Sequence, residues 1–142
     1  MTEQMTVFVE NKPGRITKIT RLLTENSINL RALVIQDRGQ FGLVKMITDD
    51  PKKTNLVLNE AGFACALKPV LAVVIDDRPG GLLKLTETLA SENINIADAY
   101  GFVVEPGKKA VFCAETDDIG RIQKVLEGRG FGMMEGNEIY GG

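Results

Sequence analysis

Short β-branched runs and helical-period apolar positions follow one another in the same order twice along the chain. "TVFVE" (Thr6–Glu10) and "LAVVID" (Leu71–Asp76) have the composition of strands. After each comes Pro-Gly, and proline is at home in a first helical turn. Ile16, Ile19, Leu22 and Leu23 then recur at helical spacing, as do Leu82, Leu85 and Leu89 in the second copy. "INLRALVIQ" and "INIADAYGFVV" return to strand, and glycine-bearing turns lead into "LVKMIT" and "AVFCAE". Asp50-Pro51 and Thr116-Asp117 are the expected caps of a second helix, burying Leu56 in one copy and Ile122, Val125 and Leu126 in the other. Gly62 and Gly130 stop those helices, and "FACALK" and "FGMMEG" supply a last short strand.

The recurrence is a repeat of sequence as well as of pattern. "NKPGRITKIT" (Asn11–Thr20) and "DRPGGLLKLT" (Asp77–Thr86) align at a shift of 66 residues, which also pairs Ile28-Asn29 with Ile94-Asn95. Beyond the turns "RGQFG" and "EPGKKA" the shift becomes 68, aligning the two "TDD" triplets and Gly62-Phe63 with Gly130-Phe131. A fixed offset over most of the chain marks an internal duplication. The order is βαββαβ, twice. This predicts an α+β protein of two ferredoxin-like units, residues 1–68 and 69–142. No flexible tract separates them at "ALKPVLAVV", so they are expected to pack side by side as a pseudo-dimer.

The loop before each first helix carries the candidate chemistry. Backbone N–H groups at a helix start lack intrahelical partners and favour an anion. Gly14 and Gly80 would let a ligand approach that backbone. Asn11 can both donate and accept, whereas an ionised Asp77 only accepts; such a corner suits a zwitterion. The competing role for Asn11 and Asp77 is a helix cap, and for Asn29 and Asn95 an Asx turn. Gly101, with no glycine counterpart in the first copy, suggests a bulge or close approach on an edge strand.

Composition narrows the classes. A net charge of −2 over 142 residues, with scattered Lys and Arg and few aromatics, argues against nucleic acid. No apolar run approaches the roughly 20 residues that span a bilayer, and the N-terminus is unlike a secretion signal, so the cytoplasm is the expected compartment. The chain has no His, and its two cysteines, Cys65 and Cys113, sit in apolar contexts expected to bury them. No catalytic residue, metal ligand or cofactor motif is found. A small enzyme would rest on scattered carboxylates and lysines, a metallochaperone would need a Cys pair after the first strand, and an RNA binder would need strand aromatics.

"VENKPGRITKITRLLTENSINL" and "IDDRPGGLLKLTETLASENINI" resemble the ACT domain, and the likeness runs from about Met5 to Tyr140 as a tandem pair. The resemblance implies a ligand-sensing module that usually binds a free amino acid between paired units, against the first-strand loop of one and the second strand of its neighbour. The residues it implicates are Asn11, Lys12, Pro13, Gly14, Arg15, Ile16 and Asn29, with Asp77, Arg78, Gly80, Gly81, Leu82 and Asn95 in the second copy. Asn11, Asn29, Asp77 and Asn95 match polar ligand-contacting positions of serine-binding members, and Gly14 and Gly80 match the loop glycine. The His of those members is Val9 here and Ile75 in the second copy, which points to a less polar ligand side chain. Residues 1–68 carry 10 Lys/Arg and 7 Asp/Glu, against 7 and 12 in residues 69–142. The Asn11 corner is therefore expected to be the better carboxylate site, with Asp77 preferring an ammonium or capping its helix. The expected partners are a free amino acid, a second copy of the chain in a homodimer, and a regulated protein reached in trans. The alternative is an assembly module with no small-molecule ligand.

Overall fold

The computed structural model describes residues 1–135, which form two compact units. Glu3–Pro69 makes up the first; Val70–Glu135, joined by Met1–Thr2, makes up the second. In the first, strand β1 (Thr2–Glu10) is followed by helix α1 (Arg15–Glu25), strands β2 (Leu30–Asp37) and β3 (Phe41–Thr48), helix α2 (Pro51–Glu60) and the start of strand β4 (Ala64–Asp76). The strand order there is β2-β3-β1-β4, and the β1–β3 and β2–β3 ladders are antiparallel. The second unit uses the rest of β4, helix α3 (Gly81–Ser91), strands β5 (Asp98–Glu105) and β6 (Lys109–Glu115) and helix α4 (Ile119–Gly128). Its strands run β5-β6-β4, all antiparallel. Each unit is a ferredoxin-like α+β sandwich.

Period-two burial explains each sheet. In the first unit Met5 faces Met46 and Val7 faces Val44 across the β1–β3 ladder, and all four are buried. Helix α1 lays Ile19 and Leu23 on that face, and α2 adds Leu58. In the second unit Leu71 and Val73 of β4 meet Leu85 and Leu89 of α3 and Ile122 and Leu126 of α4. Burying one such side chain contributes about 1.5–3 kcal/mol.

Several expectations need correction. Leu56 lies on the outer face of α2 and is 58% exposed; Thr54 and Leu58 take the buried face instead. On α3 the inward face is Gly81, Leu85, Thr88 and Leu89, which leaves Leu82, a proposed ligand contact, exposed. Asp50 caps α2 as expected, accepting the Lys53 amide at 3.1 Å. On α4 the N-cap is Asp118 rather than Thr116-Asp117, and its carboxylate is drawn to Arg121 Nε at 3.1 Å instead of to a backbone amide.

"FACALK" does not end at a turn. It runs on through Pro69 into β4, a lone proline being tolerated in a strand where no ladder hydrogen bond is required of it. The second copy's last strand is reduced to a bridge, Met133 to Val73, with the Val74 amide donating to Gly132 and the Met134 amide to Ala72. The end of that expected strand at Gly136, and the family likeness from there to Tyr140, lie outside the described residues. Gly101 is no bulge. The ladder slips between Val103 and Glu105, and a Cβ on Gly101 would make only ordinary contact, 3.5 Å from the Val111 carbonyl.

Candidate ligand-binding elbows

Each first-strand loop folds into the same elbow. The Asn11 amide donates to the Gln40 carbonyl at 3.2 Å, and the Asp77 amide donates to Lys108 at 3.2 Å. The Lys12 amide donates back to Glu10 and the Arg78 amide to Asp76. Gly14 (φ 89°) and Gly80 (φ 91°) occupy the left-handed region at the N-caps of α1 and α3, a conformation that glycine adopts without a Cβ penalty. No side chain caps either helix. The helix-start amides on these loops therefore lack the side-chain acceptor that Asp50 gives α2.

Asn11 and Asp77 are not helix caps. Both reach across to the hairpin that joins the next two strands. Asn11 Nδ2 donates to Asp37 Oδ1 at 3.2 Å and to the Gly39 carbonyl at 3.0 Å. Asp37 Oδ1 in turn accepts the Gly39 amide at 2.8 Å. In the second unit Asp77 Oδ2 accepts the Gly107 amide directly at 2.7 Å. Gly39 and Gly107 are equivalent positions at the shift of 68. The same glycine amide thus finds an aspartate in both copies, supplied by the hairpin in one and by the elbow in the other.

The surrounding charges differ. Lys12 Nζ lies 2.8 Å from Glu10 Oε2, and Arg15 Nη2 lies 3.5 Å from Glu10 Oε1. The hydrogen bond and charge of Lys12, aided by Arg15, hold the Glu10 carboxyl below its ordinary pKa. In the second copy Arg78 Nη2 pairs with Asp76 Oδ2 at 3.1 Å. Pro13, Gly14 and Gly80 are exposed, Ile16 is half-buried against the first core, and Leu82 faces solvent. Gly81 is buried, and a Cβ there would fall 2.0 Å from the Asp76 carbonyl oxygen.

Asn29 does not join Asn11 within one unit. It precedes β2, and the hairpin that Asn11 grips follows β2, so the eight-residue strand separates them. At about 3.3 Å per residue that strand is roughly 26 Å long. Asn29 is fixed by its backbone, whose amide donates to Asp49 Oδ1 at 3.0 Å. Asn95 likewise precedes β5, at the opposite end from the hairpin held by Asp77. The sequence pattern missed Asp37, Gly39 and Gly107 altogether. The only available signal was glycine recurring in both hairpin turns.

Among the described residues no group of three or more His, Cys, Asp or Glu side chains could hold a metal ion. No helix among them is long and apolar enough to cross a membrane. Burial pushes the Cys113 thiol up to about 12, against a smaller opposite effect of Tyr100, while Cys65 is only half-buried and its thiol is raised by the same cause.

Protein BT0572 from Bacteroides thetaiotaomicron is similar in structure, with a TM-score of 0.90 at 28% identity, over 98% of this chain and 95% of that one. The regulatory subunit of aspartate kinase from Thermus thermophilus, in its ligand-free form, gives 0.64 at 15% identity over 89% and 91%. Its counterpart from Thermus flavus gives 0.58 at 14% over 90% and 92%. The last two likenesses speak for the fold alone. No curated protein matches the sequence. The family described as an ACT domain pair matches residues 1–139, and with the βαββαβ order present twice the chain belongs to that family.

Proposed function

We propose that this ACT pair is a non-enzymatic regulatory module that binds a free amino acid where ACT units meet and controls a partner protein in trans. The observation that carries this is the twin elbow. Two left-handed glycines open helices that no side chain caps, each beside a polar residue. An α-carboxylate placed there would meet backbone donors and the positive end of a helix. The Asn11 elbow is the better carboxylate site, because Lys12 and Arg15 flank it where the second elbow has Arg78. Asn11 reaches a ligand by exchanging its bond to Asp37 or Gly39 for one to the carboxylate, whereas Asp77 presents only acceptors.

The ligand set proposed for the first elbow is Asn11, Lys12, Pro13, Gly14, Arg15 and Ile16; for the second it is Asp77, Arg78, Gly80, Gly81 and Leu82. Asn29 and Asn95 stand a strand's length from the elbow of their own unit, so each serves the elbow of a different ACT unit. Edge strands β2 and β5 each pair on one side only among the described residues, which supports self-association into a homodimer.

Thermal melts against a panel of free amino acids test this. A ligand specific to the native state raises the melting temperature, by about 2.7 kcal/mol of stabilisation at a hundredfold excess over Kd. Asn11→Ala is expected to remove the shift. A flat panel removes the sensor assignment and leaves the fold as an assembly module.

A further inference from the structure

A cleft of about 230 Å³ opens within the first unit, between the end of β1, the start of α1 and the turn from α2 into β4. Its walls include Glu10, Arg15, Lys18, Gly62 and Phe63. At about 30 Å³ per water it has room for roughly eight waters, below the ~300 Å³ at which drug-sized sites begin. Its occupant is of small-metabolite size.

Charge selects an anion. Arg15 and Lys18 stand three residues apart on α1 and therefore share a face. The only acid on the walls, Glu10, is held more closely by Lys12, at 2.8 Å, than by Arg15, at 3.5 Å. Arg15 can leave so long a pair at little cost, since exposed ion pairs are worth about 0–1 kcal/mol. No carboxylate among the described residues comes within ion-pair distance of Lys18, whose Nζ lies 5.4 Å from the centre of the Phe63 ring. Phe63 also supplies an apolar wall.

The second unit has the same aromatic and lysine but not the arginine. Lys84 Nζ lies 5.6 Å from the Phe131 ring. Where the first copy has Arg15 the second has Gly81, pressed so closely on the Asp76 carbonyl that no side chain fits.

We propose that the first unit alone binds a small monocarboxylate with a flat apolar body in this cleft, its carboxylate on Arg15 and Lys18 and its body along Phe63. The site lies inside one unit, needs no ammonium on the ligand, and does not rest on the amino-acid assignment of the elbows.

The test is a titration of the ¹⁵N-labelled full chain with benzoate, followed by amide shifts, with inorganic phosphate and phenylalanine in parallel. Saturable benzoate shifts are expected at Gly62, Phe63 and Ala64 but not at Gly130 or Phe131. Arg15→Gln and Lys18→Gln should each weaken benzoate roughly tenfold, the loss of one charge-assisted contact, while Lys84→Gln leaves it unchanged. Both cations are exposed enough that the variants should stay folded, which their unaltered spectra would verify. Absence of saturable shifts, equal shifts with phosphate or at Phe131, tighter binding of phenylalanine than of benzoate, or indifference to Lys18→Gln would each overturn the proposal. Benzoate binding with no amino acid moving the Gly39 amide would leave this site standing and remove the sensor assignment. The reverse pattern would do the opposite.

Discussion

Asp77 Oδ2 holds the Gly107 amide at 2.7 Å, across a sequence gap of thirty residues. The bond ties the elbow of the second unit to the β5–β6 hairpin. Asp77→Ala should strip the Gly107 amide of its acceptor, at a cost of about 1 kcal/mol for a partly exposed bond. Hydrogen exchange at Gly107 is then expected to quicken by roughly fivefold, while Gly39 in the first unit keeps its protection.

Replacing Gly81 by Ala places a methyl group against the Asp76 carbonyl oxygen, whereas a Cβ on Gly120 meets nothing within 4 Å. Gly81→Ala should therefore destabilise by about 2–3 kcal/mol through overpacking. Gly120→Ala, inside α4, should stabilise by up to about 1 kcal/mol. Urea midpoints of the two variants should move in opposite directions.

Leu58 is fully buried and Leu56, two residues earlier on the same helix, is 58% exposed. Leu58→Ala is expected to cost about 2–5 kcal/mol, and Leu56→Ala less than about 0.5 kcal/mol. Equal losses would contradict the orientation of α2.

The Cys113 thiol should make folding sensitive to alkaline pH. Its pKa is raised from 9.0 to about 12 on folding, chiefly by burial. The native state therefore keeps a proton that the unfolded chain releases above pH 9. This contribution is fully present below pH 9 and is lost as pH rises toward 12, at up to about 1.4 kcal/mol per pH unit. The check is the stability lost above pH 9 by the wild type relative to Cys113→Ala, in which Tyr100 also loses its thiol partner.

Much of the fold was readable from local pattern. The duplicated Pro-Gly turn, the helical spacing of Ile19 and Leu23 and the Asp50-Pro51 cap each depend on neighbours within a few residues. Leu56 was misjudged because helical periodicity tolerates several apolar faces, and the sheet underneath decides which is covered. The elbows were only half legible. Their backbone followed from proline and glycine, but the partners of Asn11 and Asp77 lie 28 and 30 residues further on, at Gly39 and Gly107. A cap was the reasonable local expectation, and the hairpin supplied a better-placed partner.

The tight seat of Gly81 makes the two helix entrances unequal. Position 15 has room for a long cation, so the first copy can present charge where its helix begins. At the matching place in the second copy even a methyl would force the Asp76 carbonyl to shift. Of these twins, one entrance is furnished and the other is sealed.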